Sequence, residues 1–228
     1  MKKFISIVLA LAMIFCFAAC GKKEEQPAKG PGCYVTIVNA GEIVVANEFV
    51  EFEDFDKSGD YNIDEVLHAA HKQFGKEEDY ASSASDWGLS ITKLWGVDST
   101  VLGYAPFMYY LNNQMVMTDL TQPVVEGERV NAFVFADQAT WSDSYTYFES
   151  NVVKDGTLTT TIYKMGYDAD FNPASVPAEG AEVFLGETSI GKTDAEGKVT
   201  YKLGSEKNFR LTVKGEGLVP NVCDVAVQ

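Results

Sequence analysis

The chain has 228 residues, with 33 acidic and 18 basic side chains and a formal net charge of −15. A surface this acidic repels phosphate backbones, which excludes nucleic acid as an expected partner and favours metal cations. Hydrophobic residues make up 46% of the chain, so one large domain or two small ones can be packed around apolar cores.

The first 19 residues have the pattern of an export signal. Two lysines precede an apolar stretch, residues 4–17, which is shorter than the roughly 20 residues that cross a bilayer as a helix. Two alanines then lead directly to Cys20. The segment resembles the lipobox of bacterial lipoproteins, which implies cleavage after residue 19, acylation of Cys20 and anchoring on the extracellular side of the cell membrane. The alternative is an ordinary secretory signal in which this cysteine has no role.

Residues 20–32 are rich in lysine, glutamate, proline and glycine and show no apolar periodicity. This composition is typical of a solvated tether. Further along, the patterning changes near residues 154–156, which predicts a first domain over residues 33–153 and a second over residues 157–228. The expected fold class is α+β, with a β-rich first domain that contains one main helix and a small all-β sandwich after it.

The first domain is predicted to open with two strands, residues 34–38 and 42–52, joined by a turn. One clear helix follows over residues 63–74, where apolar side chains recur at helical spacing and Gly75 ends the pattern. A loop rich in serine and aspartate is expected over residues 82–86. The remaining strands of this domain are expected at residues 90–95, 106–111, 129–135 and 145–153.

An acidic segment between the second strand and the helix has the spacing of a calcium loop. Residues 54–65 place oxygen-bearing side chains and one glycine, Gly59, at the positions of the twelve-residue EF-hand loop. Calcium prefers about six to eight oxygen ligands, which alternate residues of a curling loop can direct inward. The candidate ligands are the side chains of Asp54, Asp56 and Ser58, the backbone carbonyl of Asp60, Asn62 directly or through water, and both oxygens of Glu65.

Two alternatives to calcium exist in this region. The loop is preceded by a strand instead of the usual helix, and its polar residues could simply form an acidic turn that caps the helix. His68 and His71, the only histidines, lie three apart on the helix, a spacing that favours a partly buried face over a zinc site. No nucleophile and base stand out as a pair, so the sequence does not predict an enzyme.

Four features of the first domain resemble the transcobalamin-like C-terminal domain family. They are the opening strand pair, the helix start Asn62-Ile63-Asp64-Glu65-Val66-Leu67, the run Tyr109-Tyr110-Leu111-Asn112-Asn113, and Val125-Glu126-Gly127-Glu128-Arg129-Val130 before Phe133-Val134-Phe135. This family occurs at the end of vitamin B12 carriers and in surface proteins of Gram-positive bacteria. The resemblance therefore implies a surface role and admits a corrinoid as ligand.

The second domain is predicted to consist of strands with tight polar turns, over residues 157–163, 181–185, 198–203, 209–213 and 222–227. Residues 179–185 and 191–198 resemble the edge strand, turn and return strand of carboxypeptidase regulatory-like and collagen-adhesin B-type sandwiches. Those modules act as stalks or spacers, so the resemblance implies no catalysis.

Cysteines and aromatic residues leave further alternatives open. Cys33 and Cys223 remain after removal of the signal, and they could form a disulfide or stay as two separate buried thiols. Aromatic residues at this density are more common in cores and on sheet faces than in binding sites. The alternative is a ligand surface lined by Trp87, Trp95, Tyr104, Tyr109 and Tyr110.

These features together predict a surface lipoprotein that acts as a calcium-stabilised binding or adhesion module. Its partners would be the membrane, through the lipid, and an unidentified protein, glycan or small molecule. The rival hypothesis is a capture protein for a small ligand such as a corrinoid. A concave aromatic site near residues 104–110 would favour capture, and a convex surface there would favour adhesion.

Overall fold

The computed structural model describes residues 30–168, 170 and 172–227. The expected signal peptide, Cys20 and residues 20–29 of the expected tether lie outside the described residues. The first strand begins at Gly32, so the last residue assigned to the tether already belongs to the fold.

The N-terminal part of the chain contains eight strands, two α-helices and one 3-10 turn. In chain order they are β1 (Gly32–Asn39), β2 (Glu42–Glu51), α1 (Ile63–Gln73), the 3-10 turn (Glu77–Asp79), β3 (Ala81–Ser85), β4 (Gly88–Leu94), β5 (Val97–Asp98), α2 (Ser99–Leu102), β6 (Phe107–Leu111), β7 (Gln114–Met115) and β8 (Arg129–Val134). The part of the chain that the structure describes is thus rich in strands with one main helix, α1, which confirms the predicted fold class.

The C-terminal part of the chain is all β. Its strands are β9 (Ser144–Lys154), β10 (Thr157–Tyr167), β11 (Pro173–Pro177), β12 (Glu182–Leu185), β13 (Thr188–Lys192), β14 (Lys198–Lys202), β15 (Asn208–Lys214), β16 (Leu218–Val219) and β17 (Asn221–Ala226). No helix of the described ranges is long and apolar enough to cross a membrane.

The main sheet of the N-terminal body has the strand order β2-β1-β8-β6-β7. Strand β1 pairs antiparallel with β2 on one edge and parallel with β8 on the other. Because side chains alternate along a strand, Cys33, Val35 and Ile37 of β1 point to one face, where they are fully buried in the core that includes α1. The main helix therefore covers one face of this sheet.

Helix α1 has well-defined ends. The N–H of Glu65 donates to the side chain of Asn62 at 3.1 Å, and the two preceding N–H groups donate to backbone carbonyls in the segment 120–122. These bonds satisfy donors that the first turn of a helix leaves free. Gly75, with φ of +67°, follows the last turn, as the sequence predicts.

The prediction of a loop at residues 82–86 is wrong, because residues 82–85 form most of strand β3. This strand pairs antiparallel with β4 in a hairpin, and Gly88 beside the turn has φ of +98°. Serine has a low preference for strands, but the partner strand supplies the backbone hydrogen bonds that decide the conformation.

The C-terminal body is the predicted sandwich. One sheet has the order β11-β10-β9-β16, with β14 also paired to β10, and the other has the order β13-β12-β15-β17. Between the sheets lies an apolar core that includes Leu158, Ile162, Val183, Leu211 and Val213.

The domain boundary expected at residues 154–156 is wrong. Strands β9 and β10 form one antiparallel hairpin, and residues 154–156 contain its turn, where Asp155 and Gly156 have φ of 50° and 68°. The sequence predicts that residues 145–153 belong to the first domain, whereas strand β9 belongs to the sandwich. The error has a physical cause, because the polar and glycine residues of a tight hairpin turn resemble those of a linker.

A third core joins the two bodies. Phe133 of β8 and Tyr110 of β6 project from the face of the main sheet opposite α1 and pack against Tyr145 of β9. The rings of Tyr110 and Tyr145 stack with centroids 3.9 Å apart. Both faces of the main sheet are therefore covered, one by the helix and the other by the sandwich.

Candidate metal centre

Three carboxylates converge where the chain passes from β2 to α1. Oxygen atoms of Asp54, Asp56 and Glu65 all lie within 4.8 Å of one another. The two aspartates are exposed, whereas Glu65 is only 4% exposed. Carboxylate oxygens are the ligands that hard cations prefer, and the triad could hold a metal ion.

Backbone hydrogen bonds curl the loop around these acids. The N–H of Ser58 donates to Asp54 at 3.1 Å and to Asp56 at 2.8 Å, and the N–H of Gly59 donates to the second oxygen of Asp54 at 3.0 Å. Gly59 has φ of +87°, a conformation that glycine adopts without steric cost. Hydrogen bonds from Ser58 lower the pKa of the Asp56 carboxyl, which keeps it charged.

Glu65 has one satisfied and one unsatisfied oxygen. Its Oε1 accepts the N–H of Phe55 at 2.8 Å and the N–H of Asp56 at 3.3 Å. Its Oε2 is buried and has no hydrogen-bond partner among the described residues. A buried carboxylate oxygen without a partner carries a desolvation cost, and a cation bound by this oxygen would remove it.

The other predicted ligands lie outside this cluster. The side-chain oxygen of Asn62 caps α1, as in the alternative interpretation of the loop, and the hydroxyl of Ser58 donates to the carbonyl of Asp60 at 3.3 Å. Of the six candidate residues, the structure therefore brings three together, with Ser58 bonded to two of them through its N–H.

Aromatic contacts hold the loop against its neighbours. The ring of Phe52 stacks on Tyr61 with centroids 4.5 Å apart, so the two ends of the loop touch. The hydroxyl of Tyr80 donates to Asp64, at 2.6 Å, next to the triad. The loop is thus fixed at its entry, its exit and the first turn of the helix.

His71 serves the core and is not free to bind metal. Its Nδ1 lies 2.7 Å from the carbonyl of Leu67 and must carry the proton, because a carbonyl only accepts. Its Nε2 accepts the N–H of Trp95 at 3.2 Å. Burial lowers the pKa of His71, which favours this neutral form.

The five aromatic residues proposed as a ligand surface do not share one surface. Tyr109 and Tyr110 are adjacent on β6 and point to opposite faces, and Tyr110 is only 3% exposed. Trp95 packs against the core next to His71. Trp87 is 91% exposed at the β3–β4 turn, and Tyr104 lies beside Trp141 with ring centroids 6.3 Å apart. The positions of Trp95, Tyr109 and Tyr110 fit the packing alternative.

Both cysteines of the described fold are free thiols. Cys33 is fully buried in the core beneath α1, and burial raises its pKa to about 12. Cys223 lies on β17, where it accepts a hydrogen bond from the side chain of Asn151 at 3.3 Å. The structure corresponds to the alternative of two separate thiols and not to the disulfide.

One concave feature was not predicted. A groove of about 350 Å³ lies between the main sheet and strands β9 and β17, with Arg129 and Asn131 in its wall. Its lining residues come from segments far apart in the sequence, so no local motif marks it.

No family model, no curated protein and no solved structure matches this chain.

Proposed function

We propose that this protein is a lipid-anchored extracellular binding or adhesion module stabilised by a calcium ion at the loop of residues 54–65. Two observations carry the calcium assignment: the carboxylate of Glu65 is grouped with those of Asp54 and Asp56, and its Oε2 is buried without a hydrogen-bond partner among the described residues. The anchoring is supported by the lipobox-like sequence that ends at Cys20.

Calcium suits the donor set better than other common cations do. The clustered groups are all carboxylates, and hard oxygen donors favour calcium or magnesium over zinc and copper. Magnesium requires a tight octahedral shell and retains water, whereas calcium accepts the irregular geometry of a flexible loop. Extracellular modules bind calcium with Kd on the order of 10⁻⁴ to 10⁻³ M, and we expect this range here.

Calcium would stabilise the fold through the position of its ligands. Asp54 and Asp56 follow β2, and Glu65 lies in the first turn of α1. A shared cation would therefore tie the helix to the edge of the main sheet. At ten times Kd, binding to the folded state alone adds about 1.4 kcal/mol to the free energy of unfolding.

Calcium titration of the full chain in a non-ionic detergent tests this assignment. We expect heat of binding by calorimetry at millimolar calcium, a rise of a few degrees in melting temperature, and reversal by a chelator. Glu65→Gln should abolish these effects. Asp60→Asn is the matched control in the same loop, because only the carbonyl of Asp60 is a candidate ligand, and it should retain binding. Absence of heat together with unchanged melting would mean that the loop is only an acidic turn.

The lipid anchor has its own test. Cys20→Ser should leave the protein unprocessed or release it from the membrane fraction, since two or three acyl chains are needed for stable attachment. Cys16→Ser, four residues earlier in the signal segment, is the control and should fractionate like the parent. Normal lipid labelling of the Cys20→Ser protein would refute the anchor.

The choice between adhesion and capture rests on the residues near Tyr110. Because Tyr110 is buried in the third core and Tyr109 packs toward α1, these rings do not line an open site for a corrinoid. We therefore propose binding to an external ligand through the surface of the folded module.

A further inference from the structure

A polar groove lies between the two bodies, on the face of the main sheet opposite α1. Strands β1 and β8 form one wall, with Thr36, Arg129 and Asn131, and the turn after β6 adds Asn113. Strands β9 and β17 form the other wall, which includes Asn151 and Cys223. Its volume of about 350 Å³ is in the range of small-ligand sites.

Arg129 is a cation that forms no salt bridge within the described residues. No carboxylate of the described residues lies within 4.0 Å of its guanidinium, although the chain has 33 acids. The guanidinium carbon of Arg129 lies over the ring of Tyr34, 5.8 Å from the ring centroid. The fork of N–H donors on an arginine matches a carboxylate in a two-point interaction.

The other arginine of the chain is arranged in the opposite way. Arg210 donates to Asp224 at 2.7 Å and lies 3.3 Å from Glu48. Asp224 lines the same groove and shares Arg210 with Glu48, so this arginine balances the charge of Asp224 only in part. Glu149 is the other acid of the groove wall, and its side chain is exposed to solvent. Arg129 is thus the one basic residue among the described residues that line the groove, and its charge helps to lower the pKa of the Asp224 carboxyl.

Asn131 supplies an independent observation. It is only 6% exposed, yet its side-chain amide makes no hydrogen bond to any described residue. The N and O atoms of this amide are not fully buried and reach solvent, so a ligand in the groove would replace water at them. The amide of Asn113 also has its NH₂ group free, because only its oxygen is engaged, by the hydroxyl of Tyr145 at 2.9 Å.

We propose that this groove binds a sugar that carries a carboxylate, such as a uronic acid of an acidic glycan. Arg129 would bind the carboxylate, and the amides of Asn131 and Asn113 would bind ring hydroxyls. An amide side chain offers a donor and an acceptor together, which suits hydroxyl groups. The inference rests on the proposed binding role and names its ligand class, but it does not use the calcium site, which lies at the end of β2 next to α1.

A titration of the full chain with methyl glucuronide in non-ionic detergent tests the proposal. Saturation-transfer NMR detects the binding. Methyl glucoside has a neutral hydroxymethyl group in place of the carboxylate, and acetate carries the carboxylate without the ring. We expect binding of the glucuronide and affinities at least about tenfold weaker for both comparison ligands. The proposal would be overturned if methyl glucoside bound with the same affinity as methyl glucuronide, or if methyl glucuronide did not bind. If acetate bound with the same affinity as methyl glucuronide, the assignment of a sugar would be overturned.

Variants test the role of the arginine. Arg129→Gln should weaken glucuronide binding by about 10- to 100-fold. Arg129→Lys keeps the charge but loses the forked pair of N–H donors, so its affinity should lie between those of the parent and Arg129→Gln. Lys198→Gln, at an exposed residue of β14 outside the groove lining, is the control and should bind glucuronide normally. Unchanged affinity in folded Arg129→Gln would overturn the proposal.

A readout without substitutions uses Cys223 in the groove wall. Bound glucuronide should slow the alkylation of Cys223 by iodoacetamide, measured by peptide mass mapping. An unchanged rate at saturation would contradict the assigned groove.

Repeating the titration with a chelator separates the groove proposal from the calcium proposal. Binding of glucuronide should persist, so failure of calcium binding and failure of the groove are observed independently.

Discussion

The ring of Phe55 stacks on the imidazole of His68, with centroids 4.1 Å apart and planes inclined by 14°. Phe55 lies between the two aspartates of the acidic triad, and His68 lies one turn into α1. The ammonium of Lys72, one turn further along the helix, is 5.5 Å from the same ring centroid. The loop therefore has an apolar anchor on the helix that does not depend on a metal.

Loss of this anchor should destabilise the protein. Phe55→Ala removes a partly buried ring, and we expect the free energy of unfolding to fall by about 1–2 kcal/mol, less than for a fully buried phenylalanine. Urea denaturation measures the change. Val101→Ala is the control, because Val101 is 82% exposed. Its free energy of unfolding should stay within about 0.5 kcal/mol of the parent's. Equal effects of the two substitutions would mean that the stack contributes nothing.

The hydroxyl of Tyr145 should stabilise the contact between the bodies. It donates to Asn113 at 2.9 Å and accepts from Asn221 at 3.3 Å, and Tyr145 is only 2% exposed. Tyr145→Phe leaves these amides with fewer partners, so we expect a loss of about 1–2 kcal/mol. The denaturation midpoint should fall while its slope is unchanged. Tyr167→Phe, at a residue that is 67% exposed, should have no measurable effect.

The pair Arg210–Asp224 should contribute stability that depends on pH. Hydrogen bonds from Arg210 lower the pKa of the Asp224 carboxyl below its ordinary value of 3.8. A lowered pKa means that the contribution is present above the unfolded-state pKa and is lost as the pH falls through the folded-state pKa.

Asp224→Asn should therefore reduce the free energy of unfolding at pH 7 by about 0.5–1 kcal/mol, a modest amount because the pair is partly exposed. The difference from the parent should close as the pH falls below about 4. Denaturation at pH 7, 5 and 3 measures it, with exposed Asp86→Asn as control. A difference that stays constant across this series would contradict the assignment.

The two thiols should differ in reactivity. Burial raises the pKa of both Cys33 and Cys223, so at pH 8 both are protonated and react slowly with iodoacetamide. Higher pH should speed the labelling of Cys223, which is only partly buried, whereas Cys33 should react only after unfolding. Peptide mass mapping of native and urea-treated protein checks this. Labelling of Cys33 in the native protein at the rate seen in urea would contradict its burial.

Features set by short-range chemistry were predictable from the sequence. The first hairpin follows from the Asn39-Ala40-Gly41 turn, where Ala40 and Gly41 have φ of 47° and 87°. Helix α1 follows from its apolar spacing and from its capping residues, Asn62 and Gly75. The curl of the acidic loop follows from Gly59 and the alternating oxygen donors.

Features set by distant partners were not predictable. Strand β3 exists because β4 pairs with it, and β9 joins the sandwich because β10 pairs along its length. At the candidate metal centre, the spacing predicts that Glu65 belongs to the loop, but the burial of Glu65 depends on packing against the core beneath α1. The groove needs Arg129 and Cys223, which are brought together only by the docking of the two bodies.

The position of β1 within the main sheet has a mechanical consequence. Tension that enters the fold through Gly30 acts on a strand bonded along both edges, to β2 and to β8. Such a strand yields only in shear, with many hydrogen bonds broken at once, whereas a strand at the sheet rim can peel away one bond at a time. Strand β8 carries Arg129 and Asn131, so a pull between the N-terminal segment and the proposed ligand would load the ladder between the parallel strands β1 and β8.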